Sequence, residues 1–309
     1  MKAAYIEGHG GPEVFAYGEL PDPKPSPGEI VVDIHAASVN GADWKVRAGL
    51  YSDIAPDTFP YILGRDFSGV IAALGNGVDE FEIGDSVFGV CDVGQEGTYA
   101  EKIAVKAALV ARKPEQVSHA DIAALALAGL TGLVSVEDTL KLRAGETILI
   151  TGGAGGVAGF AIQLTKHIGA RVITTTSAQN LDYVRRLGAD EIIDYNAQDF
   201  TEIVADCDAV FDTVGGDVAQ RSFTVLKPGG RAAFIASGPK APTPPRSDIR
   251  SLRPNVGRDR EHLERIVELI AAGAIAMPEV TLFQLSDAAL AHRISEARHL
   301  RGKLVFEIR

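Results

Sequence analysis

Short apolar runs alternate with helix-like segments over most of the chain beyond residue 119. Runs typical of buried strands occupy 147–151, 171–176, 191–194, 209–213 and 231–236. The segments 157–168, 180–187 and 218–226 between them have the spacing of apolar residues expected of helices. Strands that alternate with helices predict an α/β fold with a parallel, doubly wound sheet. An Ala/Leu-rich stretch at 120–140 precedes them and predicts two buried helical pieces.

The pattern up to about residue 118 is different. Alternate prolines at 21–27 predict an extended, loop-like stretch. Strand-like runs follow at 29–35, 69–74 and 86–90, with many glycines between them, and predict a small, curved β-domain. In the tail we expect a charged helix at 259–272 and a strand at 280–285. Ser286 is the expected N-cap of a helix through Arg298, and 303–308 is the expected last strand.

Composition narrows the classes of function. The 309 residues suffice for two domains, and a net charge of −11 argues against nucleic-acid and anionic membrane surfaces. Two distant cysteines, Cys91 and Cys207, exclude a disulfide framework and are interpreted as small buried residues. We see no signal peptide, and no run approaches the roughly 18 apolar residues of a membrane helix. The expected location is the cytoplasm.

A glycine-rich turn beginning at Thr151 carries the first functional prediction. Gly153, Gly155 and Ala158 have the G-x-G-x-x-G/A spacing, after a predicted strand and at the start of a predicted helix. The first glycine is expected to make the turn, the second to let backbone approach a pyrophosphate, and the third small residue to pack against the sheet. We therefore expect a nicotinamide dinucleotide here.

The end of the second strand indicates which dinucleotide binds. Sites for NAD usually have an acidic residue there that binds the ribose 2′-hydroxyl. This chain has three threonines, Ser177, Ala178, Gln179 and Asn180, with no acid before Asp182. Hydroxyls can donate to a 2′-phosphate that a carboxylate would repel. We therefore predict NADPH.

Several motifs together resemble the zinc-independent quinone oxidoreductase (zeta-crystallin-like) branch of the medium-chain dehydrogenase/reductase superfamily. Besides the glycine turn they are ASVN at 37–40, DWKVRAG at 43–49, LGRDFSG at 63–69, GDSVFG at 84–89, GTYAE at 97–101, LGAD at 187–190 and RGK at 301–303. The resemblance implies a GroES-like catalytic domain (1–118, completed by 274–309) and a Rossmann domain (119–273) that binds NADPH. It also implies an active site in the cleft between them and a homodimer.

The expected cofactor-binding residues combine the turn with positions carried over from these relatives. The resemblance implies a hydroxyl at Ser177, a tyrosine near the adenosine phosphate at Tyr195 and a phosphate-binding arginine at Arg298. These relatives often have a lysine where this chain has Ala178 and Gln179. The full set is Thr131, Gly153, Gly155, Gly156, Val157, Ser177, Tyr195, Val214, Ile235, Ser237, Arg298 and Lys303.

Zinc is not expected. Zinc-dependent relatives have a cysteine where this chain has Asn40 and a histidine where it has Arg65. Nothing here corresponds to their four-cysteine lobe, and the seven histidines show no paired ligand spacing.

Without a metal, an already electrophilic acceptor is the easier substrate. A quinone or α,β-unsaturated carbonyl that accepts hydride becomes an oxyanion or enolate and needs hydrogen-bond donors. The candidates are Asn40, Lys45 and Tyr51; typical quinone reductases of this branch have a tyrosine in place of Lys45.

The same residues allow simpler roles. Asn40 could cap a turn, Tyr51 could be a pocket wall and Lys45 a solvated helix residue; Asp43 and Asp66 could be structural.

Three functions remain at this stage: reduction of quinones or activated alkenes with NADPH, reduction of enones or enals alone, and NADPH binding by a sensor or structural protein without turnover.

Overall fold

The computed structural model describes residues 1–50, 58–92 and 94–309. The strands are β1 (Lys2–Ile6), β2 (Phe15–Glu19), β3 (Glu29–Val39), β4 (Tyr61–Ile62), β5 (Asp66–Leu74), β6 (Ser86–Val90), β7 (Lys102–Lys106), β8 (Val110–Arg112), β9 (Thr147–Ile150), β10 (Arg171–Thr176), β11 (Glu191–Asp194), β12 (Cys207–Asp212), β13 (Leu226–Phe234), β14 (Arg250–Leu252), β15 (Val280–Phe283) and β16 (Lys303–Glu307). The helices are α1 (Gly41–Arg47), α2 (His119–Leu133), α3 (Gly156–Ile168), α4 (Leu181–Arg186), α5 (Phe200–Ile203), α6 (Gly216–Arg221), α7 (Arg260–Ala271) and α8 (Ala288–Glu296).

Packing divides the chain into two compact units. The first contains residues 1–127, 258–267 and 277–309, and the second contains 128–257 and 268–276. The domain boundaries expected at 118 and 273 stay predictions, since a division by packing does not test which segments fold on their own.

The first unit is built on a seven-stranded sheet. Its order is β15-β16-β3-β5-β6-β8, and β7 also pairs with β3. Neighbours are antiparallel except β15 and β16, which are parallel. A smaller sheet has the order β2-β1-β4. Apolar side chains from both ends of the chain, including Ile34, Phe67, Tyr99 and Phe306, are fully buried in one core. The strand order also places the last strand, β16, inside the sheet, between β15 and β3.

The second unit contains a six-stranded parallel sheet of order β11-β10-β9-β12-β13-β14. The strand order reverses beside β9, and ligands of such sheets bind outside the carboxyl ends of the strands at this point. Its helix α3 buries Phe160 and Ile162 and ends at Gly169 in the left-handed conformation that terminates helices. The predicted Rossmann-type α/β fold is confirmed.

Three local predictions need correction. The stretch at 120–140 is α2 continued by a π-helical turn at Val134–Thr139, not two pieces. The helix expected at 218–226 is α6 followed by a 3-10 turn, Ser222–Val225. Ser286 is not the N-cap of α8; it lies within a 3-10 turn, and Asp287 precedes the helix. The Asp287 carboxylate accepts the Gln284 N–H at 3.2 Å, which stabilises this extra turn.

The helical stretch His119–Thr139 is long and apolar enough, by length and composition alone, to cross a bilayer. The expectation that no stretch would reach that length is therefore corrected. Within the protein, 72% of its apolar window is buried, and a core helix passes the same test. The stretch is thus weak grounds for membrane insertion.

Candidate functional site

The glycine turn connects β9 to α3 at the carboxyl edge of the parallel sheet. Gly152 has a positive φ of +72°, which favours glycine at the start of the turn. At Gly153, a Cβ would lie 2.4 Å from Thr174 Oγ1 on β10, so only glycine fits there. Gly153 is nevertheless a central residue of the turn, in which Gly155 N donates to Gly152 O at 3.0 Å, and it also lets the turn lie close to β10.

The start of α3 is open on the side where a phosphate would bind. Gly155 precedes the helix, and a Cβ added to it would meet only Gly152 O at 3.5 Å. The backbone N–H groups of Gly156 and Val157 lie in the first helical turn, where they have no intrahelical acceptor. Such a helix start binds anions. The predicted turn residues therefore form a cradle that fits a pyrophosphate.

A buried carboxylate, Asp212 at the end of β12, joins two of the loops at this edge. Thr151 Oγ1 donates to Asp212 Oδ1 at 2.8 Å, and Gly215 N donates to Oδ2 at 2.9 Å. Thr213 N in turn donates to Thr151 Oγ1 at 3.1 Å. Burial raises the pKa of Asp212, against the effect of these hydrogen bonds. The sequence predicts Asp212 only as part of the strand at 209–213, although an acidic residue inside an apolar strand is a signal for such a role.

The next strand ends carry the residues expected near the nicotinamide. Val214 is 40% exposed after β12. Gly215 has a φ of +81°, and a Cβ there would lie 2.5 Å from Ala236 O. Ile235 N donates to Asp212 O at 3.2 Å. Ser237 follows, and its buried Oγ has no hydrogen-bond partner among the described residues. A buried hydroxyl in this position fits a polar group of a ligand at this edge.

The structure brings two of the predicted adenosine-side residues to neighbouring strand ends. Thr176 on β10 is in register with Asp194 on β11, and Tyr195 N donates to Thr176 O at 3.1 Å. Ser177 and Tyr195 each follow directly, and the Tyr195 side chain is 46% exposed. The register also places Asp194 beside this edge, where its carboxylate accepts the Asn196 N–H at 3.1 Å.

Thr131 lies elsewhere in the second unit. It is a half-buried residue of α2, and its carbonyl accepts the Ser135 hydroxyl at 2.6 Å.

In the first unit, Asn40 and Lys303 form a hydrogen-bonded pair. Lys303 Nζ donates to Asn40 Oδ1 at 2.7 Å and to Val39 O at 2.9 Å. Asn40 Nδ2 donates to Asp66 Oδ1 at 3.0 Å. Asn40 also precedes α1, where its backbone N–H donates to Asp43 Oδ2 at 2.8 Å. The residue predicted to bind an acceptor thus contacts one predicted to bind the cofactor.

Asp66 accepts hydrogen bonds from three residues, including Asn40. The fully buried carboxylate accepts the Ser38 hydroxyl at 2.8 Å and Leu127 N at 3.2 Å, besides the Asn40 amide. Burial raises the pKa of Asp66 to about 6, while Lys303 acts in the opposite direction. All three partners donate to its oxygens, as they would to an ionised carboxylate.

A second set of buried charges surrounds Arg65. Its guanidinium lies 2.6 Å from Glu96 Oε1 and 3.4 Å from Asp43 Oδ1. Tyr99 donates its phenol hydrogen to Asp43 Oδ2 at 2.8 Å. Burial raises the pKa of Asp43 and brings that of Glu96 to about 7. Asp43 thus contacts Asn40, Tyr99 and Arg65, which are the contacts expected of a structural residue.

Two further predicted residues of the first unit, Lys45 and Arg298, lie beside Trp44. The Lys45 ammonium is 5.7 Å from the centre of the indole ring, and the Arg298 guanidinium is 5.6 Å from it. Arg298 has a φ of +61°. Two cations therefore flank one aromatic side chain. Tyr51 lies outside the described residues.

A divalent metal does not fit the residues described. No group of three His, Cys, Asp or Glu side chains among them could hold a metal ion. At the two positions discussed for zinc ligands, Asn40 is bonded to Lys303 and Asp66, and Arg65 is itself a cation.

Known protein families cover both units. The alcohol dehydrogenase GroES-like domain family matches residues 26–115, and the zinc-binding dehydrogenase family matches residues 187–306. The chain is 30% identical to the chloroplastic quinone-oxidoreductase QR1 of Triphysaria versicolor, over 99% of this chain and 98% of that protein. It is 32% identical to a chloroplastic NADPH-dependent alkenal/one oxidoreductase of Arabidopsis thaliana, over 99% of this chain and 79% of that protein.

Solved structures of quinone oxidoreductases are also similar to this chain. The quinone oxidoreductase of Coxiella burnetii superposes with a TM-score of 0.92 at 34% identity, covering 100% of this chain and 99% of that one. The quinone oxidoreductase of Escherichia coli complexed with NADPH superposes with a TM-score of 0.90 at 28% identity, covering 99% and 100%.

Proposed function

Because the chain belongs to the quinone oxidoreductase branch of the medium-chain dehydrogenase/reductase superfamily, we propose that it transfers hydride from NADPH to a quinone or an α,β-unsaturated carbonyl, without zinc. An NAD(P)H-dependent oxidoreductase is the class of its relatives. The observation that carries the finer proposal is the open start of α3, combined with Asn40, which bonds to Lys303, and Arg65, which pairs with Glu96.

The second unit has the groups that a nicotinamide dinucleotide requires. Gly155, Gly156 and Val157 would hold the pyrophosphate, and Val214, Ile235 and Ser237 would border the nicotinamide. Bound as NADPH, the nicotinamide would supply hydride. Asp212 keeps the loops at Thr151 and Gly215 in place for both halves.

NADPH rather than NADH is proposed because of the hydroxyl-rich end of β10. Ser177 and the exposed Tyr195 lie at adjacent strand ends, and no acid follows β10 before Asp182. The carboxylate nearest in register, Asp194, is used by its own turn. Arg298 is the proposed basic partner of the 2′-phosphate, and the Escherichia coli neighbour is complexed with NADPH.

The first unit supplies donors for the reduced acceptor. An acceptor that gains hydride develops negative charge on oxygen, and preorganised N–H and O–H groups stabilise that charge. We propose the Asn40 amide, the Lys45 ammonium and the Tyr51 phenol for this role. No Lewis acid is needed when the acceptor is already electrophilic.

The test is oxidation of NADPH with a panel of quinones and enals, in the presence and absence of a chelator. We expect saturable oxidation that the chelator does not change, and weaker binding of NADH. Loss of activity with the chelator and recovery with Zn²⁺ would overturn the zinc-free part. No oxidation with any acceptor, despite tight NADPH binding, would instead indicate a sensor or structural protein.

A second candidate is a reductase restricted to enones and enals. The Arabidopsis relative is named as an alkenal/one oxidoreductase, and it supports this alternative. Lys45, where typical quinone reductases of the branch have a tyrosine, is the residue of this chain that favours it. Turnover of enals without turnover of quinones would decide for this function.

We also propose a homodimer and a cytoplasmic location. Light scattering with size-exclusion chromatography and cell fractionation test them.

A further inference from the structure

Lys303 and Asp66 hold opposite ends of the Asn40 side-chain amide. An ammonium can only donate hydrogen bonds, and an ionised carboxylate can only accept them. Lys303 Nζ lies 2.7 Å from Asn40 Oδ1, and Asp66 Oδ1 lies 3.0 Å from Asn40 Nδ2. A rotation of the amide by half a turn would place its N–H groups against the ammonium and its oxygen against the carboxylate. Both contacts would then be repulsive.

We propose that Lys303 is a positioning residue for the proposed reduction: with Asp66 it fixes the Asn40 amide so that an N–H, and not the carbonyl, serves the reduced acceptor. The proposal rests on the proposed function for the role of Asn40. One Nδ2 hydrogen is used by Asp66, and the remaining contacts of Nδ2, to Ser38 O and Oγ, are long at 3.4 Å. The second hydrogen is therefore available to an acceptor oxygen.

The backbone holds Lys303 in place. Leu304 on β16 is in register with Val39, the last residue of β3. Lys303 therefore lies next to Asn40, which directly follows β3. Lys303 N donates to Glu279 O at 2.9 Å. Gly302 has a φ of +66°, and a Cβ there would lie 2.0 Å from Glu279 O. The start of the strand is therefore fixed, and the Lys303 side chain leaves it from a defined backbone position.

The charges around the amide favour the same arrangement. Lys303 is buried, and burial lowers its pKa, while the negative charges of Asp66 and Asp43 act in the opposite direction. The interior of this unit contains two cations and three acidic residues: Arg65, Lys303, Asp43, Asp66 and Glu96. Since Lys303 is the cation that contacts Asn40, its loss removes the donor on which the amide orientation depends.

The first experiment is a cycle of Lys303→Met and Asn40→Ala, with kcat measured at saturating NADPH and acceptor. Each single change is expected to lower kcat by about tenfold to hundredfold, as for loss of a hydrogen bond to developing charge. The double variant is expected to be no worse than Asn40→Ala alone. In contrast to the cofactor-binding role predicted for Lys303, the dissociation constant of NADPH is expected to be unchanged, because the ammonium bonds to Val39 and Asn40. Additive losses, or weaker NADPH binding with intact kcat, would overturn the proposal.

A second variant guards against misfolding, because Lys303→Met leaves a buried carboxylate unpaired. Lys303→Met combined with Asp66→Asn removes both charges and is expected to recover thermal stability while kcat stays low. Recovery of kcat together with stability would show that the lysine is merely structural.

A spectroscopic readout separates this proposal from the proposed function. The side-chain amide signals of Asn40 in a ¹H–¹⁵N spectrum, assigned with Asn40→Ala, should shift or broaden in Lys303→Met. Unchanged signals would overturn the fixed orientation even if the enzyme is an active reductase. Absence of turnover in the wild-type protein would sink the proposed function and leave this test intact.

Discussion

Thr151 and Asp212 lie 61 residues apart in sequence, yet the hydroxyl of the first donates to the carboxylate of the second at 2.8 Å. This bond connects the turn after β9 to the loop after β12, because Gly215 N and Thr151 Oγ1 share one carboxylate. The two loops at the edge of the parallel sheet therefore have a common anchor.

Thr151→Val should loosen that anchor. The valine cannot donate to Asp212, and Thr213 N loses its acceptor, so we expect the free energy of unfolding to fall by about 1–3 kcal/mol. NADPH binding should weaken with it. Chemical denaturation and a binding titration measure the two effects. The control is Thr224→Val, an exposed threonine whose hydroxyl bonds only within its own turn. Equal effects of the two substitutions would contradict the anchor.

Two glycines of the turn should respond differently to alanine. Gly155→Ala places a Cβ 3.5 Å from Gly152 O, so the free energy of unfolding should hardly change. The added methyl group should keep the pyrophosphate away from the backbone and so weaken NADPH binding. Gly153→Ala places a Cβ 2.4 Å from Thr174 Oγ1, and we expect it to destabilise the fold by about 1–3 kcal/mol. Thermal unfolding and NADPH titration of both variants test this; if Gly155→Ala bound NADPH normally, the cradle would be misplaced.

Ser177→Asp tests the cofactor preference. The added carboxylate should repel a 2′-phosphate and weaken NADPH binding by about tenfold or more, equivalent to about 1.4 kcal/mol, with little effect on NADH. Ser177→Ala is the matched control, since it removes the hydroxyl without adding charge. Dissociation constants for both nucleotides decide the matter. If Ser177→Asp left NADPH binding unchanged, the 2′-phosphate would lie elsewhere.

Glu96 should make stability depend on pH. Burial raises its pKa from 4.5 to about 7, so the folded state holds its proton more tightly than the unfolded state does. The contribution of Glu96 to stability therefore falls as pH rises between these values, by about 3 kcal/mol in total. Unfolding of Glu96→Gln and the wild type at pH 5 to 8 measures it.

As the pH rises, the free energy of unfolding of Glu96→Gln is expected to increase relative to that of the wild type. The control, Glu202→Gln at an exposed position, should show no such trend. A difference between Glu96→Gln and the wild type that is flat with pH would refute the assignment to Glu96.

The sequence predicts most of the parallel sheet because each strand is a short apolar run between polar segments. The bounds of β6, β10 and β11 are as predicted. Short strands such as β14, and the short helix α5, carry too few residues for any periodicity. Ser286 failed as an N-cap because Asp287, one residue later, stabilises an extra turn.

The candidate site was predictable where it depends on local spacing. The position of the glycine turn follows from its residues. The need for glycine at position 153, in contrast, depends on Thr174, a residue of another strand. The link between Asn40 and Lys303 joins residues 263 positions apart, and no local pattern contains it. Packing between distant segments decides such contacts.

The position of β16 has a consequence for synthesis of the protein. All six strands of the parallel sheet lie before residue 253, so they leave the ribosome before β16 does. The first unit lacks an internal strand until residue 307 has left the ribosome, because β16 fills the place between β15 and β3. Lys303 arrives with that strand. A nascent chain thus has every strand of its parallel sheet before it has the ammonium beside Asn40, and a chain interrupted before residue 303 lacks that ammonium.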